Sequence, residues 1–131
     1  MIDRKYHIDG SLPTGDEIFV FGSNQSGIHG AGAAKVALTK FGAIFNHGFG
    51  RAGRSYAIPT KDFKVDTLPI EIVIQYVNAF IDHTKANPKD TFFVTRVGCG
   101  LAGYNDSQIA PLFKKAERCS FANEWRYFLE N

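Results

Sequence analysis

Two glycine-dense loops hold most of the chemistry open to this chain. Ile18-Phe19-Val20-Phe21-Gly22-Ser23-Asn24 leads through Gly27, Gly30, Ala31 and Gly32 into the small-residue run Ala33-Ala34-Lys35-Val36-Ala37-Leu38. Thr91-Phe92-Phe93-Val94-Thr95-Arg96-Val97 leads into Gly98-Cys99-Gly100-Leu101-Ala102-Gly103-Tyr104, then a polar turn and a second helical run. Each reads as strand, loop, helix. Bare backbone lets several N–H groups converge on one anion, and a helix N-terminus adds partial positive charge. If both strands run parallel in one sheet, both loops lie at the edge where open α/β sheets bind ligands. The pair predicts a nucleotide or phosphate site built from Asn24, Gly30, Ala31, Gly32 and Ala33 on one side. Gly98, Cys99, Gly100, Leu101, Ala102, Gly103 and Tyr104 form the other.

Other reactive side chains admit two readings each. Cys99 between two glycines could be a nucleophile or a small buried residue behind the loop. No histidine stands at a spacing that implies a Cys–His pair. Tyr104 could stack on a base or ribose, or cover the sheet edge. Arg51 and Arg54, among glycines, could clamp phosphate or be ordinary surface cations. Cys99 and Cys119 make no CxxC pair, and His7, His29, His47 and His83 show no ligand spacing, so neither a metal nor another cofactor is expected.

The 131 residues include twelve Phe and are 44% apolar, enough for one domain, residues 1–131, with a real core. The net charge of +2 comes from scattered Lys and Arg, which suits an anionic small molecule and gives no footing for nucleic acid. The start Met1-Ile2-Asp3-Arg4-Lys5 carries charge where a signal peptide needs an apolar run, and no stretch could span a membrane. The expectation is a soluble, cytoplasmic protein with reduced thiols.

Elements must position the loops. A short strand is expected near Lys5–Ile8, and the continuous apolar run 18–22 suits a buried central strand. A helix follows over Ala31–Phe41, ended by Gly42. Ala43–Asn46 could be a strand, Ser55–Pro59 is one, and Thr60–Leu68 is a loop. From Pro69, the residues Ile70, Val73, Ile74, Val77, Phe80 and Ile81 mark one helical face, stopped at Asn87-Pro88. A third helix begins near Ser107, because Pro111 is tolerated only near a helix start. Alternating Trp125, Tyr127 and Leu129 predict a last strand over 124–129. The order predicts an α/β fold of three α/β/α layers, a mostly parallel sheet with helices on both faces.

These residues resemble a known family. The strand ending in Asn24, followed by Gly30-Ala31-Gly32-Ala33-Ala34, is similar to the first ligand loop of macrodomains, which bind ADP-ribose. Gly98-Cys99-Gly100-Leu101 resembles their second loop, which wraps the diphosphate and distal ribose. Tyr56-Ala57-Ile58-Pro59-Thr60-Lys61 resembles a segment of the terminal ADP-ribose protein glycohydrolase branch. The resemblance runs from about Ile18 to Lys115. The whole chain is also similar to a small family of phage and prophage proteins of macrodomain type. The resemblance implies that Asn24 contacts the distal ribose. It implies that Lys61 is the lysine that attacks the anomeric carbon.

The carboxylates depart from the pattern. The branch has an Asp after its Gly-Cys-Gly-Leu, where this chain has Ala102. The other hydrolytic branch has one after its first glycine run, where this chain has Ala34 and Lys35. Asp106 would be the displaced acid/base partner of Lys61. Asp9 and Asp16 are the candidates for the acid that reads the adenine amino group. The resemblance thus implies binding of ADP-ribose, or an ADP-ribosylated substrate, with weak hydrolysis at most. The alternative is a non-catalytic interaction protein that sequesters a nucleotide signal or a host factor. A Rossmann-type enzyme fits poorly, because the first loop lacks a full GxGxxG.

Overall fold

Ile18–Phe21 is buried on both faces because its strand lies inside the sheet. In the computed structural model, which describes residues 2–131, six strands form one sheet. They are β1 (Arg4–His7), β2 (Ile18–Asn24), β3 (Gly50–Ala52), β4 (Ser55–Lys61), β5 (Phe92–Val94) and β6 (Cys119–Ala122), in spatial order β1-β6-β5-β2-β4-β3. Every pairing is parallel except β3 on β4. The helices are α1 (Gly32–Lys40), α2 (Ile70–Ala86), α3 (Asp106–Ile109), continued by a 3-10 turn over Ala110–Phe113, and α4 (Arg126–Glu130).

Strand alternation divides the core between two layers. Ile18, Val20, Ile58, Phe92, Val94 and Phe121 pack with Val73, Val77 and Phe80 of α2 and with Phe113 and Trp125. Phe19, Phe21, Ala57 and Phe93 face the other way, onto Ala37 and Phe41 at α1. The Phe19 and Phe41 rings stack with centroids 4.6 Å apart. The helices thus occupy both faces, as the sequence order predicts, with α1 alone on its side. Burial in α2 follows Val73, Val77, Phe80, Ile81 and Thr84, the three-and-four spacing of one face. No helix among the described residues is long and apolar enough to cross a membrane.

Two expected strands are absent. Residues 124–129 form a 3-10 turn (Asn123–Trp125) and α4. Trp125 and Leu129 are buried while Tyr127 between them is 68% exposed, so the pattern is i, i+4 rather than alternation. Ala43–Asn46 is loop: Asn46 N–H donates to the Gly27 carbonyl at 2.9 Å, tying the segment to the first glycine loop instead of to a strand. Two strands were not expected, β3 over Gly50–Ala52 and β6, the latter four residues between Arg118 and Asn123. β2 and β5 are adjacent and parallel, so their glycine loops leave the sheet side by side at its C-terminal edge.

Candidate functional site

The first loop is built by Asn24 and two glycines. Asn24 Oδ1 accepts the Ile28 N–H at 2.9 Å and the Ser26 hydroxyl at 2.8 Å, while its Nδ2 donates to the Ile28 carbonyl at 2.8 Å. Its amide is therefore spent on shaping the loop that it begins. A Cβ on Gly27 would overlap the backbone of Asn46 and His47, and one on Gly48 would overlap the Asn24 carbonyl. The Ser23 hydroxyl also donates to the Gly48 carbonyl. His29 is buried behind the loop, with Nε2 within hydrogen-bond reach of the Ile44 and His47 carbonyls.

The second loop is closed by three backbone hydrogen bonds. Cys99 N–H donates to the Arg96 carbonyl, Gly103 N–H to Gly100 and Tyr104 N–H to Gly98. Between the loops lies a cleft of about 500 Å³, a size that suits a small-molecule ligand. Its walls include Asn24, Gly30–Ala34, Lys61 and Gly98–Ala102. Among the described residues, the N–H groups of Gly30, Ala31, Gly32, Ala33, Gly100, Leu101 and Ala102 make no backbone hydrogen bond. Helix α1 starts here with no acid in its first turn and no side-chain cap, so its positive end also faces the cleft. A Cβ on Gly30 or Gly100 would meet open space, and neither has positive φ. The fold therefore does not require glycine at these two positions.

Lys61 ends β4 beside Asn24 and lines the cleft. Asp62 and Asp106 are both committed elsewhere. Asp62 accepts the N–H groups of Lys64 at 2.8 Å and Asp66 at 3.0 Å. Ala34 and Ala102 line the cleft and carry no acid there. Asp106 does not line it. Its carboxylate takes Arg96 Nε at 3.0 Å, Arg96 Nη2 at 2.7 Å and Trp125 Nε1 at 2.7 Å. Burial pushes its carboxyl up, but the hydrogen bonds from Arg96 and Trp125 outweigh this and hold it below the usual carboxylate range. That corrects the expected acid/base role: a carboxylate held in an ion pair behind the loop is a poor proton acceptor.

Tyr104 and Gly103 are likewise outside the cleft wall. The Tyr104 hydroxyl donates to the Leu68 carbonyl and the ring packs on the α2-side core. Cys99 lines the cleft and is half-buried; burial first, then nearby Asp106, push its thiol up to about 12. It holds no thiolate near neutral pH. Arg51 pairs with Asp90 at 3.1 Å, and Arg54 donates to the Gly15 carbonyl. Neither is in the cleft wall.

Of the two acids considered for reading adenine, Asp9 lines the cleft and pairs with Arg96 at 3.1 Å. Asp16 lines a separate cavity of about 600 Å³, shared with Thr91 and Arg118 at the opposite ends of the strands. Arg96, Thr60, Thr95 and Val65 also line the cleft and were not anticipated. Their signal was positional only, since each follows or ends a strand on the loop edge. Among the described residues, no group of three or more acidic, His or Cys side chains could hold a metal.

Neither protein-family models nor curated proteins match the sequence. Solved structures do match the fold. Thermosipho africanus DarTG in complex with ADP-ribose superposes with a TM-score of 0.64 at 16% identity, over 88% of this chain and 43% of that one. A Bacteroides thetaiotaomicron protein of unknown function gives a TM-score of 0.65 at 18% identity, over 92% of this chain and 98% of its own. A second protein from that organism gives 0.57 at 19%, over 93% and 99%. The fold is macrodomain-like. This macrodomain-like chain spans less than half of the DarTG chain that it matches.

Proposed function

We propose that this chain binds ADP-ribose, or a closely related NAD-derived nucleotide, between its two glycine loops. The observation that supports the reading is the set of unspent backbone N–H groups on residues that line one cleft from both loops. A diphosphate needs several convergent donors, and charge-assisted bonds to backbone N–H are among the stronger hydrogen bonds. The fold shared with an ADP-ribose complex favours this nucleotide over phosphate in general. Calorimetry with ADP-ribose, ADP, NAD and AMP side by side tests it, with ADP-ribose expected to bind tightest. At a hundred times its dissociation constant it should stabilise the fold by about 2.7 kcal/mol. No heat and no thermal shift at millimolar ADP-ribose would sink the reading.

The chemistry should be feeble. A lysine nucleophile needs a group to take its proton, and general acid–base help is worth roughly 10²–10⁴-fold. Among the described residues, Asp9 is the acid that lines the cleft with Lys61, and it is paired with Arg96, while Asp62 and Asp106 are committed elsewhere. Little or no ADP-ribose should be released from an ADP-ribosylated protein, and Lys61→Ala should scarcely change affinity for ADP-ribose. Brisk release that disappears in Lys61→Ala would prove this wrong. Tight binding without turnover is also what the alternative, sequestration of a nucleotide signal or host factor, requires. The committed carboxylates favour that alternative over a working hydrolase.

A further inference from the structure

The cleft wall is mixed in chemistry. The wall carries Asp9, the one acid among the described lining residues, held by Arg96 of the β5 loop at 3.1 Å. Lys61, Ile28, Val65 and Leu101 also line the cleft. The last three belong around Lys61 for separate reasons. Ile28 is bonded through both backbone groups to Asn24, which pairs with Lys61 in the sheet. Val65 lies in the short excursion closed by the Lys61–Thr67 bridge. Leu101 precedes Ala102, whose carbonyl accepts the Thr67 hydroxyl at 2.9 Å.

Each is exposed, Leu101 by 77%, Val65 by 47% and Ile28 by 46%. Three apolar side chains left in water around one mouth are unusual for a solvated rim. Val65 also adopts φ +67°, a conformation that β-branched residues avoid. The Asp62 carboxylate holds it there by capping Lys64 and Asp66. Observed strain beside a ligand cleft is a pointer to function.

We propose that this apolar collar is a subsite for a flat, uncharged ring carried on the terminal ribose of the nucleotide. The inference rests on the binding reading above and extends it to the group beyond the sugar. With the diphosphate between the two loops, the adenine amine, a donor, suits the Asp9 end. The terminal ribose then points to the collar. Ile28, Val65 and Leu101 supply apolar contact to a ring, while Lys61 disfavours a ring that carries positive charge.

Calorimetry with three probes tests this: ADP-ribose, which has only a hydroxyl at that carbon, NADH with its neutral dihydronicotinamide, and NAD+ with its cationic pyridinium. NADH should bind roughly tenfold tighter than ADP-ribose, about the worth of burying two CH2 groups. NAD+ should bind more weakly than NADH. Val65→Gly suits the positive φ, keeps the fold and should bring the ratio of NADH to ADP-ribose affinity towards one. Equal affinity for ADP-ribose and NADH, tightest binding of NAD+, or an unchanged ratio in Val65→Gly overturns the collar alone. Failure to bind ADP-ribose overturns the underlying reading and the collar with it.

Discussion

Gly100→Val is expected to abolish ADP-ribose binding while the free protein keeps its fold and melting temperature. A Cβ at this position meets no protein atom, and the backbone does not adopt a positive φ, so the branched side chain costs the fold little. Gly100 lines the cleft, so a valine there is expected to hold the proposed ligand off the N–H groups of the second loop. Loss of two charge-assisted hydrogen bonds at about 1.5–3 kcal/mol each weakens binding by roughly a hundredfold or more. Calorimetry beside circular dichroism reads both halves. Gly32→Val makes the contrast: Gly32 has φ +57°, so valine there should lose stability as well as affinity. Unchanged affinity in Gly100→Val would mean that the second loop does not touch the nucleotide.

Trp125→Ala should be the most damaging single change to stability, at about 3–5 kcal/mol. Trp125 is fully buried, packs on Phe113 and Phe121, and donates its indole N–H to Asp106 at 2.7 Å. The melting temperature should fall by about 10 °C or more. Trp125→Phe separates the hydrogen bond from the packing. Asp106 has a folded pKa below its ordinary value, so its contribution is present above the usual carboxylate range and is lost as pH falls through the folded value. Removing the indole donor reduces that shift. The stability gap between wild type and Trp125→Phe should therefore be widest near neutrality and narrow below about pH 4. A gap that is flat with pH would show that the indole N–H does not hold the Asp106 charge.

The loop edge was legible because glycine placement and strand burial agree. Ile18–Phe21 reads as central, Phe92–Val94 reads as its equal, and parallel pairing follows from helices between them. What stayed hidden depended on partners remote in sequence. Nothing local in Asp106 announces Arg96 and Trp125, so a lone loop acid looked available for catalysis. Tyr104 looked free for a base until Leu68, 36 positions away, took its hydroxyl. Trp125, Tyr127 and Leu129 alternate in type, but only their burial distinguishes helix from strand. β6 is too short to declare a period at all. The two glycine classes were also indistinguishable in sequence: Gly48 is required by the Asn24 carbonyl, whereas Gly100 has open space.

The outermost strand has a consequence for the order of assembly. β1 pairs only with β6, and His7 bonds Ser120 across 113 positions while Tyr6 reaches Glu130 across 124. Closing a loop of that length costs about 2 kcal/mol more than closing one of ten residues. Such long-range pairing forms late, after the local units have collapsed. During synthesis, β1 must wait unpaired until Cys119–Ala122 has been added. Asp9, which completes one end of the cleft, follows that strand by two residues. The nascent chain can therefore shape both glycine loops early, yet complete the cleft only once β6 has emerged.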